Sequence, residues 1–166
     1  RNEIKNIFVK APRTHLNNLM YHSPNNPMEA KFSMQYGLAN IIISGDCELA
    51  DFEEDAINRP EVQDLYPLIK LIPQEGSEIT SPTSVIIELI NGSLMQETIS
   101  MPLGSKDKPF TDDQYSLKFY NCVKNLLPDK IASETLKNLH NLKSISNIRE
   151  ITSVLGDGAA PVNRKQ

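Results

Sequence analysis

What this sequence has little of narrows the field first. Its two cysteines, Cys47 and Cys122, form neither a disulfide framework nor a metal-ligand spacing, so both read as free thiols in a reducing compartment. No apolar run approaches a membrane span; Leu38 to Ile43 is short and is followed closely by Gly45. The start carries no secretory signal pattern. Basic charge is not in excess: net charge is −4 and the sequence pI about 5.4, which excludes a broad electrostatic footprint for nucleic acid. A glycine-rich phosphate loop, a metal cluster and a nucleophile elbow are all missing. So are internal repeats and low-complexity segments. The expectation is a soluble, cytoplasmic chain with no cofactor, no metal, no nucleic-acid partner and no membrane partner.

What is present is enough for a core. At 166 residues, 39% hydrophobic and 23% charged, the chain reads as one globular domain with an appended element. Beginning on Arg1 rather than Met, it reads as part of something longer. Its organising stretch is Pro24 to Gly45. Asn26 suits a helix N-cap, Pro27 the first turn, Glu29 the third position of a capping box, and Gly45 the left-handed residue that ends a helix. One helix from Pro27 to Ser44 would be roughly 27 Å long. Turned through 100° per residue, it has a wide apolar arc containing Met34, Leu38 and Ile42, and a narrow polar arc containing Ser33, Tyr36, Asn40 and Ser44. Such a helix is packed on most sides, with its polar stripe left for a cleft or a second domain. Lys31 falls within the apolar arc, where its charge needs an anion or a snorkelling stem.

Around this helix the elements alternate. Ile4 to Lys10 predicts a strand, followed by a polar loop to Asn26 that holds His15, Tyr21 and His22. Leu49 to Ile57 and Pro60 to Tyr66 predict short helices; the acidic cluster Glu48, Asp51, Glu53, Glu54 and Asp55 reads as a solvated face. Pro67 precedes a strand over Leu68 to Ile72. A loop spans Gly76 to Pro82. Ser84 to Ile90 and Leu94 to Met101 are strands joined at Asn91-Gly92, a dipeptide suited to a type I′ turn, with one sheet face wetter than the other. Thr111 to Gln114 is a capping box opening a helix to about Leu127. Further helices cover Lys130 to Leu142 and Asn147 to Leu155, before a loose tail over 158–166. The class is α+β, a mainly antiparallel sheet packed with helices.

Three stretches carry a resemblance in register: Asn26-Pro-Met-Glu-Ala-Lys-Phe-Ser-Met-Gln-Tyr36 followed by Ala39 and Gly45; Arg59-Pro-Glu-Val-Gln-Asp-Leu65; and Gly104 through Pro109-Phe-Thr to Lys118-Phe119. Together they resemble the MmgE/PrpD family, which includes 2-methylcitrate dehydratase, cis-aconitate decarboxylase and iminodisuccinate epimerase. The resemblance implies an α+β lid over residues 1–127. It also implies C-terminal helices over 128–157 that pack on a helical domain absent from this sequence. A homodimer is a further family expectation.

Few residues here suggest chemistry, and each has an ordinary reading beside the functional one. Tyr36, on the polar arc, is either a packed tyrosine bonded to backbone or a contributor to a cleft; the resemblance favours the second, as the tyrosine of the Lys-Phe-Ser-x-x-Tyr motif. Lys31 is a carboxylate anchor near a helix N-terminus, or a snorkelling lysine paired with Glu29 or Glu48. Ser33 donates to the same carboxylate, or is small to allow close packing. His22 reaches a cleft, or is a solvated loop histidine. His140, Lys106 and Lys108 read as surface residues.

By the resemblance, the chain is the lid of a lyase that removes water or carbon dioxide from a di- or tricarboxylic acid through an enolate-like intermediate. Tyr36 would then be catalytic, with Lys31, Ser33 and His22 binding substrate, and the chain alone inactive. The other readings are an epimerase of the same family and a stand-alone α+β protein-interaction module.

Overall fold

The computed structural model describes residues 2–76 and 80–156. The chain divides into two units, Arg1–Lys108 and Pro109–Gln166.

The first unit is built on a four-stranded sheet: β1 Ile4–Pro12, β2 Ile69–Gln74, β3 Thr83–Leu89 and β4 Leu94–Ile99. Their order is β2-β1-β3-β4, antiparallel except for the β1–β2 pair, as an α+β chain predicts. That parallel pair needs a long crossover, and the helical segments between Arg13 and Leu68 supply it. Pro73 falls within β2, which a proline tolerates because β2 is an edge.

Period-two alternation decides which side is the core. Ile7, Val9 and Ala11 of β1 are buried on one face with Ile69, and Val85 and Ile87 pack against them. On them lie Ala30, Tyr36, Ala39, Ile57, Val62, Leu65 and Tyr66 from the helices. Asn6, Phe8 and Lys70 are on the other face. There the Glu88 carboxylate accepts from Lys5 and Asn6 at 2.7 Å, and Lys70 donates to Asn6 at 2.7 Å while lying 5.5 Å from the Phe8 ring centre. All six residues of β4 are exposed on both faces, so the expected contrast between a wet and a dry side fails on that strand.

The long helix is broken. Helix α2 spans Pro27–Lys31 and α3 spans Met34–Ser44, with Ser33 extended between them at φ −124°, ψ 116°. Serine competes with the helical backbone for hydrogen bonds. Its Oγ accepts from the Tyr36 N–H at 3.0 Å, making Ser33 a new N-cap, while the Phe32 carbonyl accepts from Tyr21 N–H at 3.2 Å. Both outer ends follow expectation: Asn26 Oδ1 accepts from Glu29 N–H at 3.0 Å, and Gly45 is left-handed at φ 87°. The Glu29 carboxylate reaches back one residue further than a capping box, to Asn25 N–H.

Because the helix restarts, the single projection over eighteen residues does not hold. Lys31 is exposed in the last turn of α2 instead of sitting in an apolar arc. Phe32 and Ile41 are exposed, while Gln35, Tyr36, Ala39 and Asn40 form the buried face of α3.

Four other segments differ from their sequence reading. The polar loop after β1 contains α1 (Arg13–Asn18), whose Leu16 packs on the core. The acidic helix is a 3₁₀ turn at Leu49–Phe52 followed by α4 (Glu54–Ile57), and the next is α5 (Pro60–Gln63) with a 3₁₀ turn at Tyr66–Leu68. At the hairpin only Gly92 has positive φ, 85°, which excludes a type I′ turn. Asn91 instead accepts from Ser93 N–H at 2.9 Å through its side chain, and Gly92 takes the left-handed position in the connection between β3 and β4.

The second unit holds α6 (Asp112–Val123), α7 (Asp129–His140) and α8 (Arg149–Gly156). The Thr111–Gln114 capping box is present in both directions. Val123, Leu127 and Ala132 form its small core with Phe119, Ile131 and Val154 against them. Among the described residues no helix is long and apolar enough to cross a membrane. The tail at 158–166 lies outside the described residues.

Ser33→Ala tests the broken helix by the sign of its effect. Loss of an N-cap is expected to cost about 1 kcal/mol in urea unfolding. An uninterrupted helix would gain from alanine, the better helix former.

Candidate functional site

The four candidate residues gather around the junction of α2 and α3, but in different environments. Lys31 and His22 are exposed, and Ser33 and Tyr36 are buried. Ser33 spends its oxygen lone pair on the α3 backbone. His22 Nδ1 lies 2.7 Å from Gln35 Nε2, so a buried side chain of α3 steadies the imidazole. Gln35 Oε1 is buried without a partner among the described residues.

Tyr36 is fully buried. Its ring packs on Phe52 with centroids 5.6 Å apart, and its hydroxyl donates to the backbone carbonyl of Asp51. Burial pushes the phenol above the ordinary tyrosine value; the Arg59 guanidinium beside it opposes that rise, and Asp51 and Cys47 add to it. At neutral pH the group is therefore a protonated donor.

Sequence reasoning missed the residues that surround this phenol. Arg59 was visible only as part of a motif, and Asp51 only as one acid in a solvated cluster. Arg59 donates from Nε to the Ala56 carbonyl at 3.0 Å, from Nη1 to Ser44 Oγ at 3.1 Å and from Nη2 to Asn40 Oδ1. Asp51 Oδ1 is 3.8 Å from Nη2, and Asp51 Oδ2 accepts from Glu48 N–H at 2.7 Å. Asn40 in turn donates to the Asp46 carbonyl at 3.0 Å. The polar stripe of α3 is thus covered by the segment that follows it and is not left facing outward. A signal was present: Tyr36, Asn40 and Ser44 recur at four-residue spacing, and the buried members, Tyr36 and Asn40, require polar partners.

Cys47 is exposed, with a thiol pushed up chiefly by desolvation and further by Asp51. Tyr66 contrasts with Tyr36. Its hydroxyl is buried without a partner among the described residues, and burial raises its pKa to about 12.

The two phenols should respond oppositely to loss of the hydroxyl. Tyr36→Phe leaves the Asp51 carbonyl unpaired and is expected to cost about 1 kcal/mol, while Tyr66→Phe is expected to be neutral or stabilising. An unfolded tyrosine releases its proton near pH 10, whereas folded Tyr66 keeps it to about 12. Its contribution is complete below the unfolded value and is lost as pH rises through the folded one. Urea unfolding at a series of alkaline pH values should show that loss in wild type and a smaller one in Tyr66→Phe.

The MmgE/PrpD C-terminal domain matches residues 1–143, a span containing all three motifs. Over 163 residues the chain is 28% identical to a cis-aconitate decarboxylase of Aspergillus terreus, a match covering 92% of this chain and 32% of that protein. Over 161 residues it is 23% identical to the cis-aconitate decarboxylase of Homo sapiens, covering 95% of this chain and 33% of that protein. The chain spans about a third of the length of these curated relatives. A domain match over most of its residues places this chain in the MmgE/PrpD family.

Proposed function

We propose that the chain is the lid portion of a lyase acting on a di- or tricarboxylic acid, with decarboxylation of cis-aconitate the first reaction to test. The observation that carries this reading is Tyr36, a protonated phenol in the first turn of α3, within the motif the family resemblance rests on. The names of the two curated relatives supply the reaction.

Decarboxylation breaks the bond between carbon and the departing carboxylate. Carbon dioxide leaves, and the electron pair stays on carbon, delocalised toward the neighbouring unsaturated system. A proton must then reach carbon, and positive charge must hold the remaining carboxylates. In this reading Tyr36 gives the proton, while exposed Lys31 and the N–H groups at the start of α3 hold a carboxylate with Ser33. His22, steadied by Gln35, offers a further donor. Dehydration would use the same donors differently: a base removes a proton from carbon, and hydroxide leaves as water after an acid protonates it. The base, and the rest of the acid–base set, would come from the helical domain, so the chain alone should be silent. Assembly as a homodimer belongs to the same proposal.

Co-expression of this chain with the helical domain of the same enzyme tests the reading. Turnover of cis-aconitate, 2-methylcitrate and citrate would be followed by the absorbance of the unsaturated acid, in wild type and in Tyr36→Phe. Wild-type turnover of at least one acid is expected, reduced about a hundredfold by the substitution, or about 2.7 kcal/mol of transition-state stabilisation. Full activity in Tyr36→Phe would remove Tyr36 from the chemistry. Failure of the two parts to associate would favour the stand-alone interaction module.

A further inference from the structure

We infer that Arg59 is the positioning residue of Tyr36: its guanidinium locks the Leu49–Phe52 turn against α3, and so fixes the phenol oxygen between a backbone acceptor and a cation.

Arg59 precedes Pro60, which confines its backbone to an extended conformation, observed at φ −64° and ψ 120°. From that fixed point the planar fork reaches three directions at once. Nη1 and Nη2 engage Ser44 and Asn40 on the last turns of α3, Nε engages the Ala56 carbonyl at the end of α4, and Nη2 faces the Asp51 carboxylate. A lysine has one point of charge and cannot span this arrangement.

Asp51 is the link to the phenol. Its carbonyl receives the Tyr36 proton, and its carboxylate is held by Glu48 N–H on one side and faces Arg59 on the other. Moving Arg59 therefore releases the turn that orients the hydroxyl. The guanidinium also lies beside the phenol oxygen itself, where it stabilises the negative charge left when the proton departs. Cys47 and Tyr66 are the other titratable groups around this pair, and neither brings positive charge. Arg59 is thus suited to orient the donor and to make its proton easier to give. The second role rests on Tyr36 being the proton donor proposed above; the first does not.

The test reads the phenol directly. The chain would be labelled with ¹³Cζ-tyrosine, with Tyr36 and Tyr66 assigned through their phenylalanine variants, and compared as wild type, Arg59→Leu and Arg59→Lys. In Arg59→Leu the Tyr36 hydroxyl proton should exchange at least about tenfold faster, and Tyr36 should ionise at a higher pH than in wild type. The hydroxyl exchange of Tyr66, on which no arginine acts among the described residues, should be unchanged, and that exchange is the control. Arg59→Lys should restore the ionisation but not the slow exchange. If Tyr36 and Tyr66 move together, Arg59 serves only general stability; if neither moves, it does not position Tyr36. Either result overturns the inference. Should Arg59→Leu fail to fold, Arg59→Lys decides alone: unchanged Tyr36 exchange defeats the proposal, and faster exchange with Tyr66 unmoved supports it.

A double-mutant cycle in the assembled enzyme separates this from the functional reading. With Tyr36 already phenylalanine, Arg59→Lys should lower kcat no further. An additive loss would overturn the coupling, whereas full activity of Tyr36→Phe alone would defeat the lyase role of Tyr36 and leave the spectroscopic result standing.

Discussion

Helix α3 buries a glutamine, a tyrosine and an asparagine, and each must find a partner without water. Much of the chain between α3 and β2 serves that requirement. The turn at Leu49–Phe52 offers the Asp51 carbonyl to Tyr36, Asp46 offers its carbonyl to Asn40, and Arg59 returns from beyond α4 to bind Asn40 and Ser44. His22 approaches from the preceding loop to meet Gln35. These bonds bring short segments, each too brief to be stable as an isolated helix, into one layer over β1.

Two of the three unpartnered buried side-chain polar atoms among the described residues border this network, the third being Ser105 Oγ. Gln35 Oε1 and the Tyr66 hydroxyl have no partner among the described residues, and both border the same α3 layer. An unpartnered buried hydroxyl costs on the order of 1–3 kcal/mol, enough to matter in a unit this small. Tyr66 is retained at that cost with only its ring contributing to the core, in contrast to Tyr36, whose ring and hydroxyl are both used.

Elements with explicit punctuation were legible in the sequence. Asn26 and Gly45 marked the outer ends of the α2–α3 pair, Thr111 and Gln114 marked the start of α6, and the β-favouring residues Ile7, Phe8 and Val9 marked the core strand. The break at Ser33 was not legible, because Phe32 and Ser33 fit a helical period and the competing bonds come from Tyr21 and from the serine's own side chain. The hairpin type failed for a similar local reason, since Asn91 uses its side chain on Ser93. Of the candidate site, the sequence marked Tyr36 through its motif but not its partners. Arg59 is nineteen residues from Asn40, and no periodic pattern joins them.

In the role proposed for it, Tyr36 as a proton donor in a packed core would face a conflict between order and release. A hydroxyl held by a carboxylate would be well oriented but strongly retained, because bonds to charged groups are roughly twice as strong as neutral ones. Here the acceptor is a backbone carbonyl, and Asp51 keeps its carboxylate for Glu48 N–H and the Arg59 side. A neutral bond of that kind contributes only about 1 kcal/mol net. If a substrate oxygen or carbanion takes its place, the exchange costs less than the roughly 2.7 kcal/mol that a hundredfold rate effect represents. The same layer that stabilises the unit can then orient Tyr36 without trapping its proton, and it is the division of Asp51 between carbonyl and carboxylate that makes the two demands compatible.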